Sequence, residues 1–146
     1  MDKGLKTSNI CHRELQKRNA DEIMVFTVLS KLFKYTFRIA KIYNAKINAL
    51  QIWMRYKKGR VFYLGYLKEK HVLHLTDNSE LPAGHLAYDI FSTTLSILRN
   101  NKPIPEGLEI YPSCFRCTRR LTRPEDIARG FGPECAKYMD KYGQTW

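Results

Sequence analysis

No stretch of this sequence stays apolar for anything close to the ~20 residues that cross a bilayer, and its first seven residues lack the apolar core of a secretory leader. The expected setting is the cytoplasm, with no membrane partner. Cysteine is scarce, at four residues, which excludes the dense disulfide framework of small secreted domains. There is no internal repeat, no low-complexity tract and no glycine loop of the phosphate-cradling type. Histidine, serine and the acids do not fall into a recognisable catalytic spacing. His71 and His74 are three apart on an expected strand and so point to opposite faces. The expectation is a protein that is not an enzyme.

Acidic residues are also in short supply, with 14 against 25 Lys+Arg, for a formal charge of +11. The excess is uneven. Residues 1–60 carry 14 bases and 4 acids, residues 61–112 carry 4 and 6, and residues 113–146 carry 7 and 4. Two basic regions flanking a weakly acidic middle suggest a polyanionic partner.

What cysteine there is clusters. Cys114, Cys117 and Cys135 lie close together in sequence, whereas Cys11, beside His12, reads as an isolated thiol. Two residues between Cys114 and Cys117 let both thiolates reach one ion from a tight turn, the zinc-knuckle spacing. Thr122-Arg123-Pro124-Glu125 fits a capping box opening a short helix over residues 124–129, which Gly130 stops. Pro133 then suits the first position of another helix and puts Cys135 in its first turn, where unpaired N–H groups favour a thiolate. The expected metal ligands are Cys114, Cys117 and Cys135, and the expected cofactor is Zn2+.

Upstream, the pattern of apolar residues sets the fold class. Asn19 as N-cap, with acids following and Ile23, Phe26, Val28, Leu29 and Leu32 behind it, predicts a helix. Phe33, Tyr35, Phe37 and Ile39 then alternate with polar residues, as do Leu50, Ile52, Met54 and Tyr56. Two further strands are expected over residues 61–67 and 71–75, with Gly65 marking a bulge or a close backbone approach. Ala87, Ile90, Phe91, Leu95 and Leu98 share one face of a helix expected over residues 83–99. Residues 108–111 read as a short extended segment. The fold class is α+β: an antiparallel β-meander of about four strands packed by one helix, followed by a small zinc-knuckle/helix module. The expected divisions are a polar or helical extension over 1–32, the α+β core over 33–107 and the zinc-binding module over 108–146.

The cysteine segment, Cys114-x-x-Cys117-x-Arg119-x-Leu121-Thr122-x-Pro124-Glu125-x-Ile127-x-x-Gly130-x-Gly132-Pro133-x-Cys135-Ala136, resembles the signature of a widespread family of small proteins, many of them encoded by bacteriophages. Tyr35 to Ile39 and Tyr63-Leu64-Gly65 resemble strands of the same family, so the resemblance runs from Phe33 to Ala136. It implies a zinc module and a phage-type setting in the host cytoplasm, without a defined activity. Relatives often carry a histidine just before the first cysteine. Here residues 109–113 contain none, which leaves His12, Cys11, His85, Asp140 or a water as the fourth ligand of a normally four-coordinate ion.

Two partners suit the basic surfaces. The first is nucleic acid, DNA or RNA, bound by Arg116, Arg119, Arg120, Arg123 and Arg129 around the motif and by Arg55, Lys57, Lys58 and Arg60 on the sheet. Trp53 shares a strand face with Gln51 and Arg55 and is placed to stack a base. The second is an acidic host protein, such as a host enzyme or defence factor, that this chain binds and redirects.

Overall fold

The computed structural model describes residues 24–41, 49–68 and 72–142. Its chain order is β1 (Met24–Leu29), β2 (Lys34–Lys41), β3 (Leu50–Tyr56), β4 (Val61–Lys68), β5 (Val72–His74), α1 (Leu86–Arg99), β6 (Glu109–Pro112), α2 (Pro124–Arg129) and α3 (Pro133–Tyr142). The strands form one sheet of order β5-β4-β3-β2-β1-β6. Every pairing is antiparallel. β1 to β5 run as a meander, and β6 returns after α1 to close the open edge of β1.

Side-chain alternation divides the two faces. Phe26, Phe37, Ile39, Ile52, Met54 and Leu64 point to one side, where they meet Phe91, Leu95 and Leu98 of α1 in the main core. The Phe37 and Phe91 rings lie 5.2 Å apart. Burying each such side chain contributes about 2 kcal/mol or more. On the other side Val25 joins Phe115, Leu121, Ile127, Phe131 and the cysteines in a second, smaller cluster, with Trp53 and Val61 packed against it. The sheet is therefore covered on both faces, by α1 and by the cysteine segment.

Two expectations are corrected here. The helix predicted to start at Asn19 is replaced over its described part by strand β1; residues 19–23 lie outside the described residues. Met24, Phe26 and Val28 serve one core while Val25 and Thr27 face the other side. A strand buried on both faces shows no polar alternation, and its apolar run is easily taken for a helix. Its β-branched residues suit the pleat instead. Among the described residues the strand count is accordingly six rather than four, with β1 and β6 the additions.

The sheet reaches the cysteine segment through a buried polar link. Thr27 Oγ1 lies 2.7 Å from Thr36 Oγ1 and donates to Ser113 Oγ at 2.7 Å, immediately before Cys114. Such satisfied groups fix register at little cost in stability. The helix α1 is capped by His85, whose Nδ1 accepts from the Ala87 N–H at 3.0 Å. Among the described residues no helix is long and apolar enough to cross a membrane.

Candidate metal centre

Backbone bonds shape the knuckle before any side chain is considered. Thr118 N donates to Cys114 O at 2.8 Å, and Cys114 N donates to Arg119 O at 2.9 Å. Thr118 takes the left-handed φ of 65° that this tight return needs. Leu121 N then bonds Pro112 O at 3.0 Å, tying the far side of the knuckle to the end of β6.

The first short helix follows its expected bounds and the second its expected start at Pro133, but the capping differs. The N-cap of α2 is Arg123, with no side-chain cap, rather than Thr122. Glu125, the expected reciprocal partner, is instead held by the Arg123 guanidinium. Gly130 closes α2 at φ 82°, and its carbonyl accepts from Phe115 N at 3.0 Å. That bond carries the chain back to the knuckle. Pro133 opens α3, which brings Cys135 to the same point.

The sulfurs of Cys114, Cys117 and Cys135 all lie within 4.8 Å of one another. Cys114 is wholly buried and Cys135 is 6% exposed. Tetrahedral thiolates at a Zn–S distance of about 2.3 Å stand about 3.8 Å apart, so a small contraction closes the set on an ion. Three sulfurs form a soft donor set, compatible with zinc and poorly suited to calcium or magnesium. The three cysteines therefore have the spacing and chemistry to hold a metal ion.

The electrostatics agree with that fit. Without metal, burial pushes the Cys114 thiol well up, against the backbone groups of Cys117, Gly132 and Arg116, which pull it down. For Cys117 burial also pushes up, but the Arg119 backbone and the Cys114 and Cys135 side chains outweigh it, and the net shift is downward. One thiol thus leans towards thiolate while its neighbour holds a proton that an ion would displace. Arg116 Nη1 donates to Cys135 Sγ at 3.4 Å, and its guanidinium carbon lies 3.6 Å from the centre of the Tyr138 ring. That cation offsets the negative charge of a three-thiolate site.

Among the described residues no fourth His, Cys, Asp or Glu joins the three. His85 is spent on capping α1, and Asp140 is exposed on α3. Cys11 and His12 lie outside the described residues. Over residues 109–140 the chain matches a family of unknown function (DUF6011). The match spans β6, the knuckle, α2 and most of α3, which is the unit that gathers the sulfurs. No curated protein and no solved structure matches the chain.

The basic residues singled out in the sequence fare unequally. Arg55 is half-buried, donates to Arg116 O at 2.7 Å and lies 5.7 Å from the Phe115 ring centre, so it pins the knuckle to β3. Burial holds its guanidinium below the usual range, with the Cys114 charge acting against the shift. Trp53 meets Tyr63 edge-on at 5.9 Å beneath Arg38, 5.1 Å away. Burial lowers the Arg38 guanidinium to about 10. Arg60 bonds Glu80, Arg123 bonds Glu125, and Arg129 reaches the buried Asp126 at 2.5 Å. Arg120 lies 4.4 Å from the centre of the Tyr111 ring.

Lys57, Lys58 and Arg119 remain exposed, and among the described residues they make no ion pair. Lys34, a basic sheet residue also expected from the sequence, and Lys31, which no sequence motif singles out, stand beside the first two. Meander parity is the signal that brings Lys31 to them, since the β1–β2 and β3–β4 turns leave the sheet at the same end.

Proposed function

We propose that this chain is a non-enzymatic zinc protein, of the phage-associated type that its cysteine motif resembles, which binds nucleic acid in the host cytoplasm. The role of zinc in this reading is structural. It cross-links the knuckle to α3 and so holds a thin second core against the sheet. The observation that carries the nucleic-acid reading is where cations without an ion pair among the described residues gather. The β1–β2 turn brings Lys31 and Lys34, the β3–β4 turn brings Lys57 and Lys58, and the knuckle tip brings Thr118, with Arg119 next in sequence. Most of the other arginines already have acidic, carbonyl or aromatic partners within the chain. A group of cations with no ion-paired acid among the described residues favours a polyanion.

A salt titration of binding to fluorescent single-stranded and duplex oligonucleotides tests this. The expected result is binding at low salt that weakens with a log–log slope of about −0.7 per phosphate contacted on a single strand, or about −0.9 on duplex DNA. The reading fails if the zinc-loaded protein binds neither probe at low salt.

A further inference from the structure

The lysine-bearing turns border an open cavity of about 500 Å³. It is lined by Lys31, Lys34, Lys57 and Lys58, by the apolar Leu32 and Phe33 of the first turn, and by Thr118 of the knuckle, among others. No Asp or Glu among the described residues lines it. Two backbone arrangements hold the walls. Ser30 Oγ accepts from Leu32 N at 3.1 Å and Phe33 N at 3.3 Å, which shapes the first turn. Lys57, at a left-handed φ of 53°, donates its N–H to Lys34 O at 3.0 Å and so fastens the second turn to the first.

The lining has two chemical halves. Four lysines in a lining with no Asp or Glu among the described residues suit a phosphate. Leu32 is 89% exposed and offers an apolar surface on the first turn. Beside it the Phe33 ring stacks on Tyr35 at 5.2 Å. Thr118, 1% exposed, backs the wall on the knuckle side. Lysines and an apolar wall in one cavity of ligand size describe a site for a molecule with a charged end and a flat apolar end.

We infer that this cavity binds a nucleoside phosphate, its phosphate against Lys31, Lys34, Lys57 and Lys58 and its base against Leu32 and Phe33. The inference deepens the nucleic-acid reading and rests on it where the nucleotide belongs to a strand. A free nucleotide carries the same chemistry. Because Thr118 directly follows Cys117, the metal centre helps to place one wall of the cavity.

The test uses the full, zinc-loaded chain with two probes, adenosine 5′-monophosphate and a short fluorescent oligothymidylate, at low salt. Lys31→Gln/Lys57→Gln/Lys58→Gln removes three charges, keeps polar side chains and touches only exposed positions; Lys102→Gln/Lys137→Gln is the surface-charge control. The triple variant is expected to weaken binding of the strand by about tenfold or more and to flatten its salt slope, while the control changes both far less. Leu32→Ser is expected to weaken the monophosphate but not inorganic phosphate. Lysine-dependent binding of the monophosphate without strand binding upholds the cavity and overturns the nucleic-acid reading. Strand binding that drops in the triple variant, with the monophosphate too weak to detect, upholds the cavity as a subsite for a nucleotide within a strand. Equal strand binding by parent and triple variant overturns the cavity and leaves that reading standing. If neither probe binds the parent, both are overturned.

Discussion

Cys135→Ser is expected to release the bound metal and free the cysteine segment from the sheet, at a cost of at least about 4 kcal/mol. The reason is how little else holds that segment. Its helices α2 and α3 have 6 and 10 residues, too short to persist without tertiary support. Its apolar cluster is small, with Phe115, Leu121, Ile127 and Phe131 its largest members. An ion bound through thiolates supplies on the order of 10 kcal/mol to such units, so losing one ligand removes the main restraint. Val25 and Trp53 on the sheet would lose their cover. The check is thermal unfolding of parent and variant, each with and without a strong chelator. Chelation should bring the parent down to the variant and leave the variant unmoved. A variant that loses only the ~1–2 kcal/mol of a buried polar substitution, beside a parent indifferent to chelator, would count against the cross-link.

Gly65→Ala should destabilise the main fold by about 3 kcal/mol and detach β5. Gly65 has φ 149°, and a Cβ there would stand 2.2 Å from the His74 backbone oxygen. The obstacle is backbone on a neighbouring strand, which no rotamer change relieves. The register between β3 and β4 shifts at Ile52/Trp53, opposite this glycine, so it belongs to a bulge that bends β4 towards β5. Gly84→Ala is the matched comparison, because nothing lies within 4 Å of a Cβ there. Denaturant midpoints should fall sharply for Gly65→Ala and hardly at all for Gly84→Ala, with amides of Val72–His74 losing hydrogen-exchange protection in the first. Similar midpoints for the two variants would mean that β5 yields easily and that the bulge is not a fixed part of the fold.

Legibility in the sequence follows the physics of burial. Strands β2 and β3 are plain because polar residues alternate with their core residues. The helix α1 is plain because its apolar stripe is one-sided. Strand β1 is hidden because both its faces are buried, and missing it also hides that β6 has a partner. The bounds of α2 and α3 follow from Pro124, Gly130 and Pro133, whose backbone constraints act locally. The cap at Thr122 fails because Arg123 competes for Glu125, a side-chain choice that the motif does not encode. The clustered cysteines are legible from spacing alone. The fate of the arginines is not, since whether Arg55 reaches solvent depends on a segment about sixty residues away folding over it. The lysine-lined cavity depends in the same way on knowing that β1 is a strand.

The proposed ion is the point on which the fold of the cysteine segment is expected to turn. Elemental analysis of protein purified without chelators, set against a quantitative amino-acid assay, should give close to one zinc per chain. That zinc should be lost together with Cys114, Cys117 or Cys135. Freshly purified, folded protein with no thiophilic metal near one equivalent would contradict it.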